Sequence, residues 1–477
     1  MPHLTKSEFI HYLNCPKSFW LKQHKPDVYP ERAFSAFQEK LVTDGYAVER
    51  EVRRYIDSLV AADRHSFQQV FETDDGLLAR ADLVRDNEDG TIDLFEIKSS
   101  TSIKDKPPNY QLKDATFQAI VAKRCGHRVD KVFIVHLNKG YVRRGPVDPA
   151  SLLVFFDVTD WVEDLLDETE EEIAAALDLL ARDQIDESSC SCLYLGKGRH
   201  CDSFDYFNPT ITTPSIYDLP RIATSKNFQR FVSEGRFSLD EIAPEELSPS
   251  QQLVLQAHRA ETPVIDQDAI RTFLGDLKYP LHFLDYEAFA SAVPMIAGAR
   301  PHAQIPFQFS LHILDEEGTL THHEYLAETA EMPKALIEAL ETTVAPTGSV
   351  VSWHMAYENT RNKEMAAYYP EHQAFLHDLV ARTVDLEDVF KAGYVDIAFR
   401  GSTSIKKVLP VLVPEMTYEG MEIADGTAAM EGWLEMVSML AGEARASRRS
   451  ALLEYCEQDT MAMVRIFQCL SRLAGDI

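Results

Sequence analysis

Residues 81–98 read A-D-L-V-R-D-N-E-D-G-T-I-D-L-F-E-I-K. Apolar-rich runs flank Asp89-Gly90, the pattern of two strands joined by a tight turn. Asp82 lies in the first run. Glu96 and Lys98 stand two apart in the second, so both side chains project from one face. The wider stretch 68–100 repeats the pattern around Asp75-Gly76. Two carboxylates and a lysine on one spot suit metal-assisted hydrolysis. Carboxylates bind hard divalent cations such as Mg²⁺. The ion polarises a phosphoryl oxygen and acidifies attacking water, and the lysine offsets developing negative charge.

The neighbouring elements extend this α/β pattern. Residues 4–25 predict a short helix and turn beginning at Thr5, and 31–62 keep a helical period through Leu41, Val48, Val52, Ile56 and Leu59. Glu49 on that helix is a further candidate ligand. A helix is expected over 110–124, followed by a strand at 130–138. Tyr110, Asp114 and Gln118 share one helix face and are expected to line the same cleft. Residues 161–185 read as an acidic amphipathic helix. The Pro- and Thr-rich stretch 208–220 reads as a linker, and 221–275 as a polar helical connector.

A second α/β pattern begins at Tyr279. In L-H-F-L-D-Y-E-A-F (281–289), Asp285 and Glu287 again share one face of an apolar strand. V-V-S-W-H-M-A-Y-E-N (350–359) reads as a buried strand ending in Glu358. Y-C-E-Q-D (455–459) lies on a helix, with Tyr455 and Asp459 on one face. Four carboxylates from separate elements can hold two divalent ions, the geometry of two-metal phosphodiester hydrolysis, and Tyr455 is placed to position or deprotonate the attacking water. Asp385 reads as a helix-start residue. Lys406 and Lys407 open a helix after a Ser/Thr/Gly loop, where a phosphate contact is an alternative. His322 and His323 read as surface residues.

The chain has 477 residues, enough for two to four domains. Seven cysteines, an odd number, argue against a disulfide framework. Cys190, Cys192 and Cys201 crowd together as a metal or cluster site, whereas Cys125, Cys456 and Cys469 read as core. Net charge is −29, from 47 basic and 76 acidic residues, which excludes a broad cationic nucleic-acid coat. Residues 101–150 run against the trend, with 10 basic and 4 acidic residues. Among them Arg128, Lys131, Lys139, Arg143 and Arg144 form either a solvated face or a DNA path. No apolar window approaches the ~18 residues of a membrane span, and the N-terminus lacks a signal-peptide pattern. A cytoplasmic protein with no membrane partner is expected.

The first constellation resembles the PD-(D/E)XK nuclease superfamily and, more closely, the RecB-type exonucleases associated with CRISPR systems. That resemblance assigns Glu49, Asp82, Glu96, Lys98 and Gln118 to the nuclease site. It also implies that Cys15, Cys190, Cys192 and Cys201 hold a 4Fe-4S cluster. Here the spacing is C-x-C-x8-C, where the family usually has C-x2-C-x5-C. Which of Cys190 and Cys192 is a ligand stays open, as do His200 in place of a thiolate and Zn²⁺ in place of the cluster. The second constellation resembles the DnaQ-like DEDD 3′→5′ exonucleases of the ribonuclease H-like fold. Asp285 and Glu287 match the first motif, His354, Tyr357 and Glu358 the second, and Tyr455 and Asp459 the third. Glu358 stands where that family usually has Asp. Stretches 306–312, 401–410 and 452–464 look like an uncharacterised domain family often found behind a RecB-type nuclease.

The resemblances imply an α/β protein in three parts. Residues 1–207 would be a PD-(D/E)XK domain with a cysteine cluster, 208–277 a linker and helical connector, and 278–477 a ribonuclease H-like exonuclease domain. The implied activity is exonucleolytic degradation of DNA, as single strands or from ends, with Mg²⁺ or Mn²⁺. DNA processing, repair or defence is the implied setting, with possible partner proteins. Alternatives are one live site beside a nucleic-acid-binding platform, a non-catalytic adaptor, or an RNA exonuclease.

Overall fold

Thr5 opens the first helix. Its hydroxyl accepts the Glu8 N–H while the Glu8 carboxylate accepts the Thr5 N–H. This reciprocal cap starts the helix Lys6–Asn14. Pro16 then begins the helix Pro16–His24, where its missing N–H costs nothing. The computed structural model describes residues 3–30, 34–60 and 62–475. The helix expected over 31–62 forms at Ala36–Asp57, capped by Ser35, and 31–33 and 61 lie outside the described residues.

The chain forms two compact α/β units. One is Met1–Thr210 with Ser291–His302, and the other is Ile211–Ala290 with Ala303–Ile477. Residues 211–277, read as a connector, therefore fall within the second unit. They carry the helices Phe228–Ser233, Pro249–Ala260 and Gln267–Gly275.

The first unit is built on strands β1 (Leu4–Thr5), β2 (His65–Glu72), β3 (Leu77–Asp86), β4 (Ile92–Ile97), β5 (Val129–Leu137) and β6 (Leu153–Asp157). The order is β1-β3-β4-β5-β6, with β2 also paired to β3. The β4–β5 pair is parallel, and the helix Gln111–Arg124 makes the crossover. That helix is buried along nearly its whole length because Lys6–Asn14 and Thr159–Leu180 pack over it. Phe9 and Phe117 stack within this core. The segment 291–302 is held inside this unit. Ala292 donates its N–H to Asp44 and Arg143 donates to the Pro294 carbonyl.

The second unit is built on a mixed five-stranded sheet. Its strands follow the short strand β7 (Val264–Ile265): β8 (Leu281–Phe289), β9 (Ile305–Leu314), β10 (Leu320–Leu326), β11 (Val350–Ser352) and β12 (Thr383–Asp385). The order is β10-β9-β8-β11-β12. Strands β8, β9 and β10 are antiparallel, whereas β11 lies parallel to both β8 and β12. Strand β8 is central and buried on both faces. Phe283 faces a cluster shared with the helix Glu443–Ala474. Leu284 and Tyr286 face the opposite cluster, under the helices Lys334–Thr343, Ala356–Tyr368 and Gln373–Arg382.

One expectation is corrected here. The strand β11 stops at Ser352, so Glu358 is not at a strand end but in the first turn of the helix Ala356–Tyr368. Asp385 causes the change. Its carboxylate accepts the N–H groups of His354 and Met355 and ends the strand, while His354 takes a left-handed φ of 62°. Asp385 also accepts the Glu387 N–H at the start of a short 3₁₀ turn. Among the described residues no helix is long and apolar enough to cross a membrane.

The turn into β11 depends on Gly348. Its φ is 94°, and a Cβ there would stand 2.0 Å from the Pro280 carbonyl oxygen. Gly348→Ala is expected to destabilise the second unit by about 2 kcal/mol or more, from left-handed strain plus the clash. Thermal unfolding of the variant tests this, and an unchanged midpoint would contradict it.

Candidate functional site

In the first unit β3 carries Asp82 and β4 carries Glu96. The Ile97 N–H donates to Asp82 at 2.8 Å. Lys98 reaches back to Glu96 at 2.6 Å and across to Asp114 at 2.7 Å. Gln118, one turn beyond Asp114, donates to Glu96 at 2.6 Å and to Asp114 at 3.0 Å. Asp82, Glu96, Lys98, Asp114 and Gln118 thus form one network. Tyr110 stands apart from it: its phenol lies in the field of Glu172, Asp105 and Lys113. Glu49 shares a cavity of about 520 Å³ with Asp82, but its carboxylate accepts from Arg53 and Gln68.

Sequence reading missed Lys6. Its ammonium donates to both Glu96 oxygens at 3.0 Å and stands 3.9 Å from Asp82. Burial alone would push Glu96 up, yet Lys98 and Lys6 hold it below the usual carboxylate range. Burial and the neighbouring Glu96 charge push Asp82 up to about 7. The local cations therefore already neutralise Glu96. Lys6 sits 90 residues from Glu96 in sequence, and the parallel β1–β3 pairing, with the packing of its helix on Gln111–Arg124, brings it to the strand ends.

The four cysteines of the first unit converge. The Sγ atoms of Cys15, Cys190, Cys192 and Cys201 all lie within 4.8 Å of one another, and Cys190 and Cys201 are 4.0 Å apart. Both Cys190 and Cys192 belong to the group. His200 does not, because its Nε2 meets the Leu195 carbonyl and its ring stacks on Phe204. Thiol donation, from Cys15 first, holds Cys190 and Cys192 below the usual thiol range, and the same contacts push Cys15 and Cys201 up. Four convergent sulfurs are a donor set for a soft or borderline metal.

In the second unit Asp285 and Glu287 project from β8 toward the helix Glu443–Ala474, which supplies Asp459 and Tyr455. Carboxylate oxygens of Asp285, Glu287 and Asp459 lie within 4.8 Å of one another. They line a cavity of about 280 Å³ with Glu358, Tyr357, Lys406 and Tyr455. The strand register shifts just after Glu287, next to the site. Burial, then the Asp459 charge, raise Asp285 well above the ordinary range and push Glu287 up to about 8. Glu358 is pushed up to about 8, chiefly by burial, and its Oε2 is buried with no hydrogen-bond partner. Asp459 is pushed up to about 6 by burial, tempered by donation from Tyr418.

Tyr418 is the residue of this site that sequence reading missed. It donates to Asp459 at 2.6 Å. It sits in an irregular stretch, so no periodicity marks it. Lys406 is held by the Ala424 carbonyl over the rings of Tyr418 and Tyr455. Burial and Asp459 push the Tyr455 phenol far above its usual range. Cys456 is buried, as expected of core, but its thiol points at Asp285 from 3.8 Å. His322 departs from its surface reading, since it is partly buried and stacks on His312. Of the basic residues at 128–144, Lys131 pairs with Asp157, and Arg143 donates to backbone carbonyls.

Among the described residues of this mixed α/β protein, the geometry brings together an acidic cavity, a carboxylate–lysine network and a four-cysteine group. Residues 282–404 match the family described as "Domain of unknown function (DUF2779)". The match takes in Asp285, Glu287 and Glu358, and stops before Tyr455 and Asp459. A Mycoplasma pneumoniae (strain ATCC 29342 / M129 / Subtype 1) protein described as "Uncharacterized protein MG366 homolog" is 27% identical over 212 residues, 40% of this chain. The aligned part is 32% of that relative, so the chain spans about a third of its length.

Two outcomes are expected. Cys15→Ser should reduce the thiolate-bound metal of the purified protein and lower its thermal midpoint; elemental analysis and calorimetry test this, and full retention of metal would contradict it. The raised carboxylates of the second unit favour their protonated forms in the folded state. Their contribution is complete below the ordinary carboxylate range and is lost as pH rises through their folded values, up to about 8. Chelator-treated protein should therefore lose stability from about pH 5 to about pH 8, and Mg²⁺ or Mn²⁺ should restore it by replacing the proton. Asp285→Asn should flatten the trend. A metal-free midpoint that rises over this window would contradict the assignment.

Proposed function

We propose that the protein is a metal-dependent nuclease acting on DNA, as single strands or from ends, in cytoplasmic DNA processing, repair or defence. The observation that carries this reading is the convergence of the carboxylates of Asp285, Glu287 and Asp459, with Glu358 on the same cavity wall. Carboxylate oxygens suit hard divalent ions such as Mg²⁺ or Mn²⁺, and a buried acidic group is costly without a cation. Such ions, when bound, supply Lewis-acid charge and acidified water.

The chain's own side chains complete the chemistry. Tyr418 donates to Asp459 and fixes its orientation, and Tyr455 stands one helical turn before Asp459 on the same cavity wall. Tyr455, held protonated, positions water or a phosphate oxygen instead of abstracting a proton. Lys406 brings positive charge to the cavity edge, where a phosphate would enter. The DEDD resemblance would give this site a 3′→5′ polarity. The RecB-type resemblance assigns Asp82, Glu96, Lys98 and Gln118 to a second nuclease centre in the first unit, with Glu49 as a further ligand.

Lys6 favours a second reading, in which the second unit cuts and the first guides nucleic acid. With Lys6 and Lys98 both on Glu96, that carboxylate needs no metal charge. For the four cysteines the resemblance implies a 4Fe-4S cluster. Their span favours a single Zn²⁺ as the alternative: Zn–S bonds of about 2.3 Å give tetrahedron edges near ~3.8 Å, and Cys190 and Cys201 are 4.0 Å apart.

The test is degradation of end-labelled single-stranded DNA with Mn²⁺ by wild type, Lys98→Ala and Asp285→Asn. Asp285→Asn should slow cleavage from the 3′ end at least about 100-fold, the scale of metal-based charge stabilisation. Under the two-nuclease reading Lys98→Ala removes a different product ladder, and under the single-site reading it weakens binding. Cleavage of DNA or RNA unaffected by either substitution would overturn the proposal, as would no cleavage by wild type.

A further inference from the structure

Beside the acidic cavity, on the same face of the sheet, lies a second cluster that the nuclease reading does not use. His312 on β9 and His322 on β10 are direct partners in the antiparallel register. Their rings stack with centroids 4.4 Å apart. Glu457, on the helix Glu443–Ala474, brings its carboxylate 3.7 Å from His322 Nδ1. One ligand atom from each of the three residues lies within 4.8 Å of the other two.

The hydroxyls behind the rings fix which nitrogens are available. His312 Nδ1 meets Thr460 Oγ1 at 2.8 Å, and His322 Nε2 meets Ser310 Oγ at 2.9 Å. Thr460 donates its own proton to the Glu457 carbonyl, so it accepts from His312. Ser310 and Thr460 are 2.7 Å apart, so Ser310 donates to Thr460 and accepts from His322. This proton count places the N–H of each ring outward, on a hydroxyl. It leaves His322 Nδ1 without an N–H, 3.7 Å from the Glu457 carboxylate, and His312 Nε2 as the nitrogen of its ring without an N–H. Two imidazole lone pairs beside a carboxylate repel one another unless a cation lies between them. Metal-binding histidines characteristically donate their other ring N–H to a fixed partner, which is the arrangement seen.

We propose that His312, His322 and Glu457 bind a divalent transition-metal ion of the Zn²⁺ class, with solvent as fourth ligand. Two imidazoles and one carboxylate are a borderline donor set, unlike the all-oxygen set of the neighbouring cavity. Glu457 is half-exposed and His322 partly so, which leaves an entry path. The ion would clamp β9 and β10 to the helix that carries Tyr455 and Asp459.

The test is Zn²⁺ binding to the full chain in excess Mg²⁺, which occupies the all-oxygen site. Bound equivalents are counted by equilibrium dialysis and elemental analysis, with folding checked by circular dichroism. His322→Gln and Glu457→Gln alter a partly exposed and a half-exposed side chain and should each remove one equivalent. Thr460→Val should keep the ligands but weaken Zn²⁺ binding about 10–100-fold. Asp285→Asn should leave this equivalent in place, so the result stands apart from the nuclease reading. Wild-type stoichiometry and affinity in His322→Gln and Glu457→Gln would overturn the proposal. So would loss of the same equivalent in Asp285→Asn, which would assign it to the acidic cavity.

Discussion

Asp285, Glu287 and Asp459 meet, buried or nearly so, within 4.8 Å of one another, and like charges so placed repel strongly in a medium of low polarity. Much of the second unit is arranged around that cost. Tyr418 donates to Asp459, Lys406 stands over the two tyrosine rings, and the carboxyl groups move toward their protonated forms. The strain is not relieved by a full set of counter-charges. A divalent cation would relieve it directly, and a buried acid cluster of this kind is expected where such an ion does chemistry.

The first unit solves the same problem differently. Its buried Glu96 is met by two ammonium groups and an amide, so its charge is neutralised inside the protein. Lys98 is shared between Glu96 and Asp114, which spreads positive charge along the network. The two carboxylate sites of one chain thus differ in what they would ask of a metal ion. The acidic cavity of the second unit asks for charge, whereas Glu96 already has it. This difference, not motif completeness, is the physical ground for giving the second unit the stronger claim to metal.

Local patterns carried much of the architecture. The Thr5–Glu8 pair specifies a helix start because both partners of the cap lie within four residues. Period-2 spacing puts Asp285 with Glu287, and helical spacing puts Tyr455 with Asp459, whatever the rest of the fold does. The strands about Asp75-Gly76 and Asp89-Gly90 are legible for the same reason. Glu358 was misplaced by one element, because the carboxylate that ends the strand belongs to Asp385, outside the local window. Tyr110 stands one residue before the helix Gln111–Arg124, and the left-handed backbone at its own position takes it out of the periodic face.

Sequence alone determined the donor types and their local faces: D-x-E on one strand, E-x-K on another, paired cysteines in a loop. Those depend on backbone periodicity, which a few residues fix. Tertiary structure decided which donors meet. Lys6 reaches Glu96 across 90 residues, Cys15 joins three cysteines from a distant loop, and His312 faces His322 through strand register. It also decided charge state, since burial and neighbouring charge set whether a carboxyl is held down like Glu96 or raised like Glu287. Both depend on packing between segments far apart in the chain, and no local pattern encodes that.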